Sequence, residues 1–385
     1  MNILYLGAFP PDFLVKRSGG KIDSLYRAAD PLIHGMRNNS DVNIEVLTSP
    51  DIASWPKGPL FVAHENSETD RLTMVSSLNI SLVKQLWTIV SMVREAGRYI
   101  RKNKEQTIVI IPYVVFRHVF TLRLLHWLYP KKVIQACIVP DIFFPKKKIK
   151  RWINTWTEHM ASKFDAFVLY TKKMAKHLNV SEGHYEVIEG FREVPERKPV
   201  ISEGFNVVYA GSLNINYGVG RLIEAMSIVD DSEISLHLYG AGSAENMIIE
   251  TSKKDPRIVY HGKVPNAVAT DAIYSASVLI NPRNADDGEY TEYSFPSKDI
   301  EYMATGIPTL LCKLPGMPKE YYGHFIDMGE ATPEQIASAI IKTKQLSNSE
   351  RYVIGKDARD FIIQRMDYNK QVLRIVSLFK RVMSA

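Results

Sequence analysis

Cysteine is nearly absent: Cys137 and Cys312 are the only two in 385 residues. Both lie in apolar, strand-like runs, so they read as small core residues in a reducing compartment, neither a disulfide framework nor a metal site. No cluster of His, Cys and Asp has metal-ligand spacing. No apolar run approaches the roughly 18 residues that a membrane-crossing helix needs. The opening MNILYLGAFPPDF lacks a basic leader region and holds only a strand-length apolar run, which predicts no secretory signal. There is no short internal repeat and no low-complexity segment. Acidic residues are scarce in the first half. Residues 1–198 hold 29 Lys and Arg against 19 Asp and Glu; the remainder holds 19 against 23. A basic half suggests an anionic partner surface, lipid headgroups or nucleic acid, but no aromatic–basic nucleic-acid recognition motif accompanies it.

What is present is alternation. The length suggests two domains. The pattern predicts strands at Asn2–Ala8, Val42–Leu47, Thr107–Val115, Val133–Val139, Ala166–Tyr170 and Tyr185–Ile188. Between them it predicts helices ending near Asn38 and spanning Ile80–Lys102, Arg117–Tyr129, about Lys148–Lys163 and Lys172–Leu178; residues 51–80 are poorly patterned. A polar, Pro-containing linker follows at Glu189–Gly204. The alternation then restarts, with strands Asn206–Ala210, Ser235–Tyr239, Ile258–His261 and Val278–Asn281. Strands alternating with helices predict parallel sheets covered on both faces. The fold class is therefore α/β, with two Rossmann-like domains at 1–198 and 205–365 and a last helix, about 366–385, that packs back on the first. Two such domains place a cleft between them.

Residues Ser294 to Leu310, SFPSKDIEYMATGIPTL, carry the most local information. Pro296 ends a loop, a short helix starts near Ser297, and Gly306 stops it before a strand at Ile307–Cys312. Lys298 sits in the first turn, where the helix dipole disfavours a cation, and Glu301 shares its face. Either a phosphate-like anion docks beside Lys298, or Lys298 is an exposed residue of no consequence. Several strands of the second half end in small or polar residues: Ala210-Gly211-Ser212, Gly240-Ala241-Gly242 and Asn281-Pro282-Arg283. Glycine there lets backbone N–H groups approach a ligand, though most turn glycines serve only the turn.

The ordered set VVYAGSLNINYGVGRLIEA, ISLHLYGAG, IVYHGKVPNAVATDAIYSASVLINPR and FPSKDIEYMATGIPTL resembles the nucleotide-sugar half of retaining glycosyltransferases of the GT-B fold, family 4 and its relatives, over about residues 205–345. The resemblance implies that Glu301, matching the second Glu of a Glu-x7-Glu motif, holds the donor ribose, a task for a group that accepts two hydrogen bonds. Ser297 and Lys298 would lie against the diphosphate, Gly211 beneath it, and Lys263 and Val264 beside the base; Gly240 is a further strand end of the cleft. The sequence departs from the pattern at Tyr293, where the first Glu belongs, with Glu292 one residue off and Ser294 following. Ser212 and Tyr217 occupy positions where many members carry Arg and Lys. The missing cationic clamp is then supplied by Lys298, helped by Arg283.

The implied reaction moves a sugar, with retention, from a nucleotide sugar to a glycan or lipid-linked glycan in cell-surface polysaccharide biosynthesis. The diphosphate takes the acceptor proton. No cofactor and no metal is expected, and no Asp-x-Asp of the metal-dependent kind is present. Asp141, at a first-half strand end, orients the acceptor or a sugar hydroxyl, or else makes an Asx turn. The loop holding Gly19, Gly20 and Lys21 lies where the family's acceptor and phosphate loop lies, or is a plain turn. The alternatives are a non-catalytic nucleotide-sugar-binding partner subunit, or an epimerase or phosphorylase of the same architecture. Finally, the run Lys146 to Arg151 opens a helix with Ile149, Trp152, Ile153, Trp156 and Met160 on one face. That face either packs into the core behind a solvated basic start, or lies on anionic lipid. The expected location is cytoplasmic, and the second option adds peripheral attachment to the inner face of the membrane.

Overall fold

The computed structural model describes residues 1–7, 9, 24–49, 52–81, 83–145, 147–191, 194–200 and 203–384. The chain divides into two compact units: Met1–Glu193 with Asp367–Ala385, and Val194–Met366.

The first unit is built on an eight-stranded sheet in the order β10-β9-β8-β7-β1-β2-β5-β4. Its strands are β1 (Asn2–Leu6), β2 (Asn43–Thr48), β4 (Glu65–Ser67), β5 (Leu72–Met74), β7 (Thr107–Pro112), β8 (Val133–Val139), β9 (Ala166–Leu169) and β10 (Tyr185–Val187). β1 lies between β2 and β7, pairing in parallel with both, and only β4 runs antiparallel to its neighbour. The central strands are apolar on both faces, as parallel sheets covered by helices require; every residue of β7 and β8 is buried. Helices α1 (Ser24–Asn38) and α12 (Tyr368–Ser384) pack together with Ile3, Tyr5, Ile44, Ile108 and Ile110. The alternate strand residues, such as Leu4, Val109 and Ile111, are buried on the other side. There α2 (Val83–Lys102), α3 (Phe116–Leu128) and α4 (Lys148–Ala161) lie in succession, each against the next. Helix α5 (Lys172–His177) follows β9.

Three expectations are corrected here. The strand from Thr107 stops at Pro112, because Tyr113 turns into the left-handed region at φ 64°. The unpatterned stretch 51–80 holds β4, β5 and a two-strand antiparallel ribbon, β3 (Phe61–Val62) with β6 (Ser77–Leu78). These pieces are too short for periodicity to reveal. The core-packing option for α4 fails as well: its only buried residues are Thr157 and Ala161, while Ile149, Trp152, Ile153 and Trp156 are exposed.

The second unit carries a six-stranded parallel sheet, β13-β12-β11-β14-β15-β16. Its strands are β11 (Phe205–Ala210), β12 (Ile234–Tyr239), β13 (Ile258–Gly262), β14 (Val278–Ile280), β15 (Thr309–Leu311) and β16 (Ile326–Asp327). Helices α6 (Val219–Ile228), α7 (Glu245–Ser252) and α10 (Pro333–Gln345) cover one core with β11, β12 and β14. Helices α8 (Asn266–Tyr274), α9 (Ser297–Met303) and α11 (Asn348–Arg365) contribute to cores on Tyr302, Ile300 and Ile362. The strand expected from Ile307 is only Thr309–Leu311, and a 3₁₀ turn, Lys319–Tyr321, follows it.

Candidate functional site

In the second unit the chain builds outward from β11 in two directions, first to β12 and β13, then to β14, β15 and β16. The order reverses between β11 and β14, and in open α/β sheets ligands bind beyond the carboxyl ends of the strands at that crevice. Those ends are Ala210-Gly211 and Asn281-Pro282-Arg283. Gly211 has φ 152° and Gly240 φ 133°. A Cβ on Gly240 would strike the Gly211 carbonyl, and one on Gly211 would strike the Lys298 ammonium. Gly240 therefore needs glycine for space as well as for backbone conformation, and Gly211 for backbone conformation. The Gly211 N–H donates to Tyr239 O at 2.8 Å, and the Gly240 N–H to Gly262 O at 2.8 Å, so three strand ends are tied in a row.

Helix α9 is fastened to this row. The half-buried Lys298 donates from Nζ to the Ala210 carbonyl. Its ammonium stands 5.0 Å from the Tyr209 ring centroid and 5.4 Å from that of Tyr302, distances at which a ring face attracts a cation. The buried Tyr302 hydroxyl accepts from Ala210 N at 2.8 Å and donates to Ala210 O at 3.2 Å. Tyr209 donates to Ser212 O at 2.9 Å. Burial pushes both phenols above the usual tyrosine value, so both stay neutral donors.

At the end of β14, Asn281 donates from Nδ2 to Asp299 Oδ1 at 2.5 Å. Asp299 is fully buried. Desolvation pushes its carboxyl up to about 6, against the downward pull of the Asn281 bond and of the Arg283 and Lys298 charges. The Arg283 guanidinium stacks 3.8 Å over the Tyr217 ring and lies 5.9 Å from that of Tyr290. Arg221 holds the following loop in place through Asp287, at 2.9 and 3.2 Å, and Pro282 O, at 2.8 Å. Thus two cations, Lys298 and Arg283, stand at the ends of the two strands that flank the crevice.

Of the residues singled out from sequence, Gly211, Gly240, Lys298, Arg283 and Tyr217 come together through these contacts. Ser212 is exposed after β11, and its Oγ accepts from Asn214 at 2.8 Å. Ser297 is the exposed first residue of α9, and Glu301 is half-buried one turn on. Tyr293 and Ser294 are half-buried in the segment before α9, and Lys263 and Val264 follow β13, Lys263 exposed. Asp141 is exposed past β8 in the first unit, and its Oδ1 accepts from Ile142 N at 2.9 Å, a local turn contact. Gly19, Gly20 and Lys21 lie outside the described residues. Sequence reasoning missed Tyr302, Asp299 and Arg221, whose partners are distant in the chain. The one available signal was Asn281, a polar residue ending an apolar strand. Among the described residues no group of three His, Cys, Asp or Glu is arranged to hold a metal ion.

Residues 204–345 match the family model described as "Glycosyl transferases group 1". No curated protein matches the chain by sequence. Among solved structures, sucrose-phosphate synthase from Thermosynechococcus elongatus superposes with a TM-score of 0.68 at 14% identity, covering 100% of both chains. Anabaena HepE in complex with UDP gives 0.68 at 12% identity, covering 98% of this chain and 100% of the other. The lipopolysaccharide outer core galactosyltransferase WaaB gives 0.62 at 15%, covering 97% and 99%. At such identities the likeness is one of fold, GT-B.

Proposed function

We propose, from the match of residues 204–345 to the glycosyl transferases group 1 family model, that this GT-B protein is a retaining, metal-independent enzyme. It transfers a sugar from a nucleoside diphosphate sugar to a glycan or lipid-linked glycan in cell-surface polysaccharide biosynthesis. The observation that carries the proposal is the pairing of Lys298 with Gly211 at the end of β11, with Arg283 at the end of β14. A departing diphosphate needs positive charge fixed in place before the bond breaks. Lys298 is held by a backbone carbonyl and two aromatic rings, and Arg283 by the face of Tyr217, so both are ordered in advance. They supply the charge that Ser212 and Tyr217 do not.

In this reading the glycine row forms the floor for the diphosphate. Glu301 accepts from the ribose hydroxyls, Ser297 donates to a phosphate oxygen, and Lys263 and Val264 border the base. Tyr293 and Ser294 line the sugar end. Asp141 orients the acceptor, as do Gly19, Gly20 and Lys21. The leaving diphosphate takes the acceptor proton, so no side chain is asked to act as base.

The test is a thermal-shift panel of UDP, GDP, ADP, CMP and their common sugar conjugates without metal. A ligand that binds only the folded state raises the melting temperature. One nucleotide family should raise it, and Glu301→Ala should abolish the rise. No shift with any of them, from a protein that also turns over no donor, would sink the proposal in favour of a non-catalytic subunit.

A further inference from the structure

The first unit shows solvent an apolar surface that its core does not use. All five tryptophans of the chain, Trp55, Trp87, Trp127, Trp152 and Trp156, are exposed, and all belong to that unit. Trp is ordinarily among the most buried side chains on average. Two helices carry exposed apolar stripes at helical spacing: Val83, Leu86, Trp87 and Val90 on α2, and Ile149, Trp152, Ile153 and Trp156 on α4. Between them lies α3, with Phe116, Phe120 and Trp127 outward and no acid in its sequence. The surfaces of α3 and α4 are continuous, and α2 packs against α3. Phe120 stacks on Phe116 at 5.6 Å, and Phe116 on Trp156 at 5.8 Å, which joins α3 to α4.

The charge around this surface selects the occupant. Residues 80–157 contain 15 Lys and Arg and only three acids, Glu95, Glu105 and Asp141. Lys147, Lys148, Lys150 and Arg151 are all exposed at the start of α4. Exposed Trp and Phe among an excess of cations are the chemistry of an interfacial, anionic-lipid contact.

We propose that α2, α3 and α4 together form one face that seats the first unit on an anionic bilayer. The apolar stripes enter the boundary between headgroups and acyl chains, and the cations at the start of α4 meet the lipid phosphates. The placement fits the topology of the unit. Helices joining parallel strands run antiparallel to them, so α3 and α4 begin at the carboxyl ends of β7 and β8. The stripe on α2 occupies its first half, and Phe143 and Phe144, also exposed, lie in the segment after β8. The bilayer contact therefore reaches the sheet edge where α/β units bind ligands. The inference goes beyond the sugar-transfer reading and does not depend on it.

The test is flotation of the full chain with vesicles of phosphatidylcholine alone and of phosphatidylcholine carrying phosphatidylglycerol, with bromine-labelled acyl chains as quenchers of tryptophan fluorescence. The wild type should float at least about tenfold more on the anionic vesicles, with its fluorescence quenched. Ile149→Ser with Trp152→Ser, and separately Leu86→Ser with Val90→Ser, should each reduce flotation while leaving the far-ultraviolet circular dichroism unchanged. The α2 pair removes no charge, so its effect separates a three-helix face from a basic helix acting alone. No flotation on anionic vesicles overturns the proposal. So does loss in the α4 pair with none in the α2 pair. A self-associating chain whose dimer is broken by both pairs, and which ignores vesicles, overturns it in favour of a second copy.

Discussion

Both units wind helices around a mainly parallel sheet whose strand order reverses beside its first strand, yet they expose different chemistry. In the first, aromatic side chains that a core would hold stand in solvent among cations. In the second, no tryptophan occurs and acids outnumber bases, while the charged and aromatic groups that matter are drawn inward, onto the ends of β11 and β14. The lesson is one of separated tasks. The second unit spends its aromatics on holding Lys298 and Arg283 in place; the first leaves its aromatics for something outside the chain.

The comparison can be broken most forcefully at Gly240. A Cβ there meets a backbone carbonyl that cannot swing away, so Gly240→Ala should cost roughly 2–4 kcal/mol. Tryptophan fluorescence sees only the first unit, whereas circular dichroism sees both. The dichroism midpoint in urea should fall while the fluorescence midpoint moves less; coincident falls would show that the two units unfold as one.

The buried titratable groups offer a finer contrast. His118, on α3, bonds through Nδ1 to Pro112 O at 3.2 Å. Its value is lowered to about 3 by burial, with the Arg117 charge adding to the effect. A His held neutral leaves the unfolded state binding more protons below about 6.5, so its contribution is present above that pH and lost as pH falls toward 3. By pH 4 the loss is roughly 3 kcal/mol. Urea midpoints read by tryptophan fluorescence should fall over this window, and His118→Gln should flatten the slope; an unchanged slope would show that His118 is not its source.

Asp299 works in the opposite sense. Its folded value, about 6, lies above the unfolded one, so its protonated form stabilises below about pH 4 and that contribution disappears as pH rises through 6. The size is about 2–3 kcal/mol. Asp299→Asn should remove this dependence from the dichroism midpoint and leave the His118 slope intact. If the variant shows the same profile, the buried carboxyl does not titrate as the geometry requires.

Much of the architecture was legible because alternation of apolar runs with amphipathic helices reports directly on a covered parallel sheet. Val133–Val139 appears as expected to the residue, and Lys172 begins its helix as expected. What periodicity cannot say is which side of an apolar stripe meets the protein. The stripe of α4 has the spacing of a core-facing helix and faces outward. At the candidate site, the strand-end glycines and Lys298 were visible because each breaks a local rule. Tyr302 and Asp299 break none. An aromatic residue and a first-turn acid are ordinary in a short helix, and only the fold brings one to Ala210, about ninety residues earlier in the chain, and the other to Asn281.

Helix α12 gives the molecule an order of assembly. Val372, Ile375, Val376, Leu378 and Phe379 fill the same core as Ile3 and Ile110, but they are translated after the whole of the second unit. During synthesis the first unit must wait, its sheet bare where α12 will lie, until the segment after the second unit has been made. The half made first is finished last, the reverse of the usual progression along a nascent chain. Until α12 docks, the aromatic, basic half is still open, whatever the state of the other.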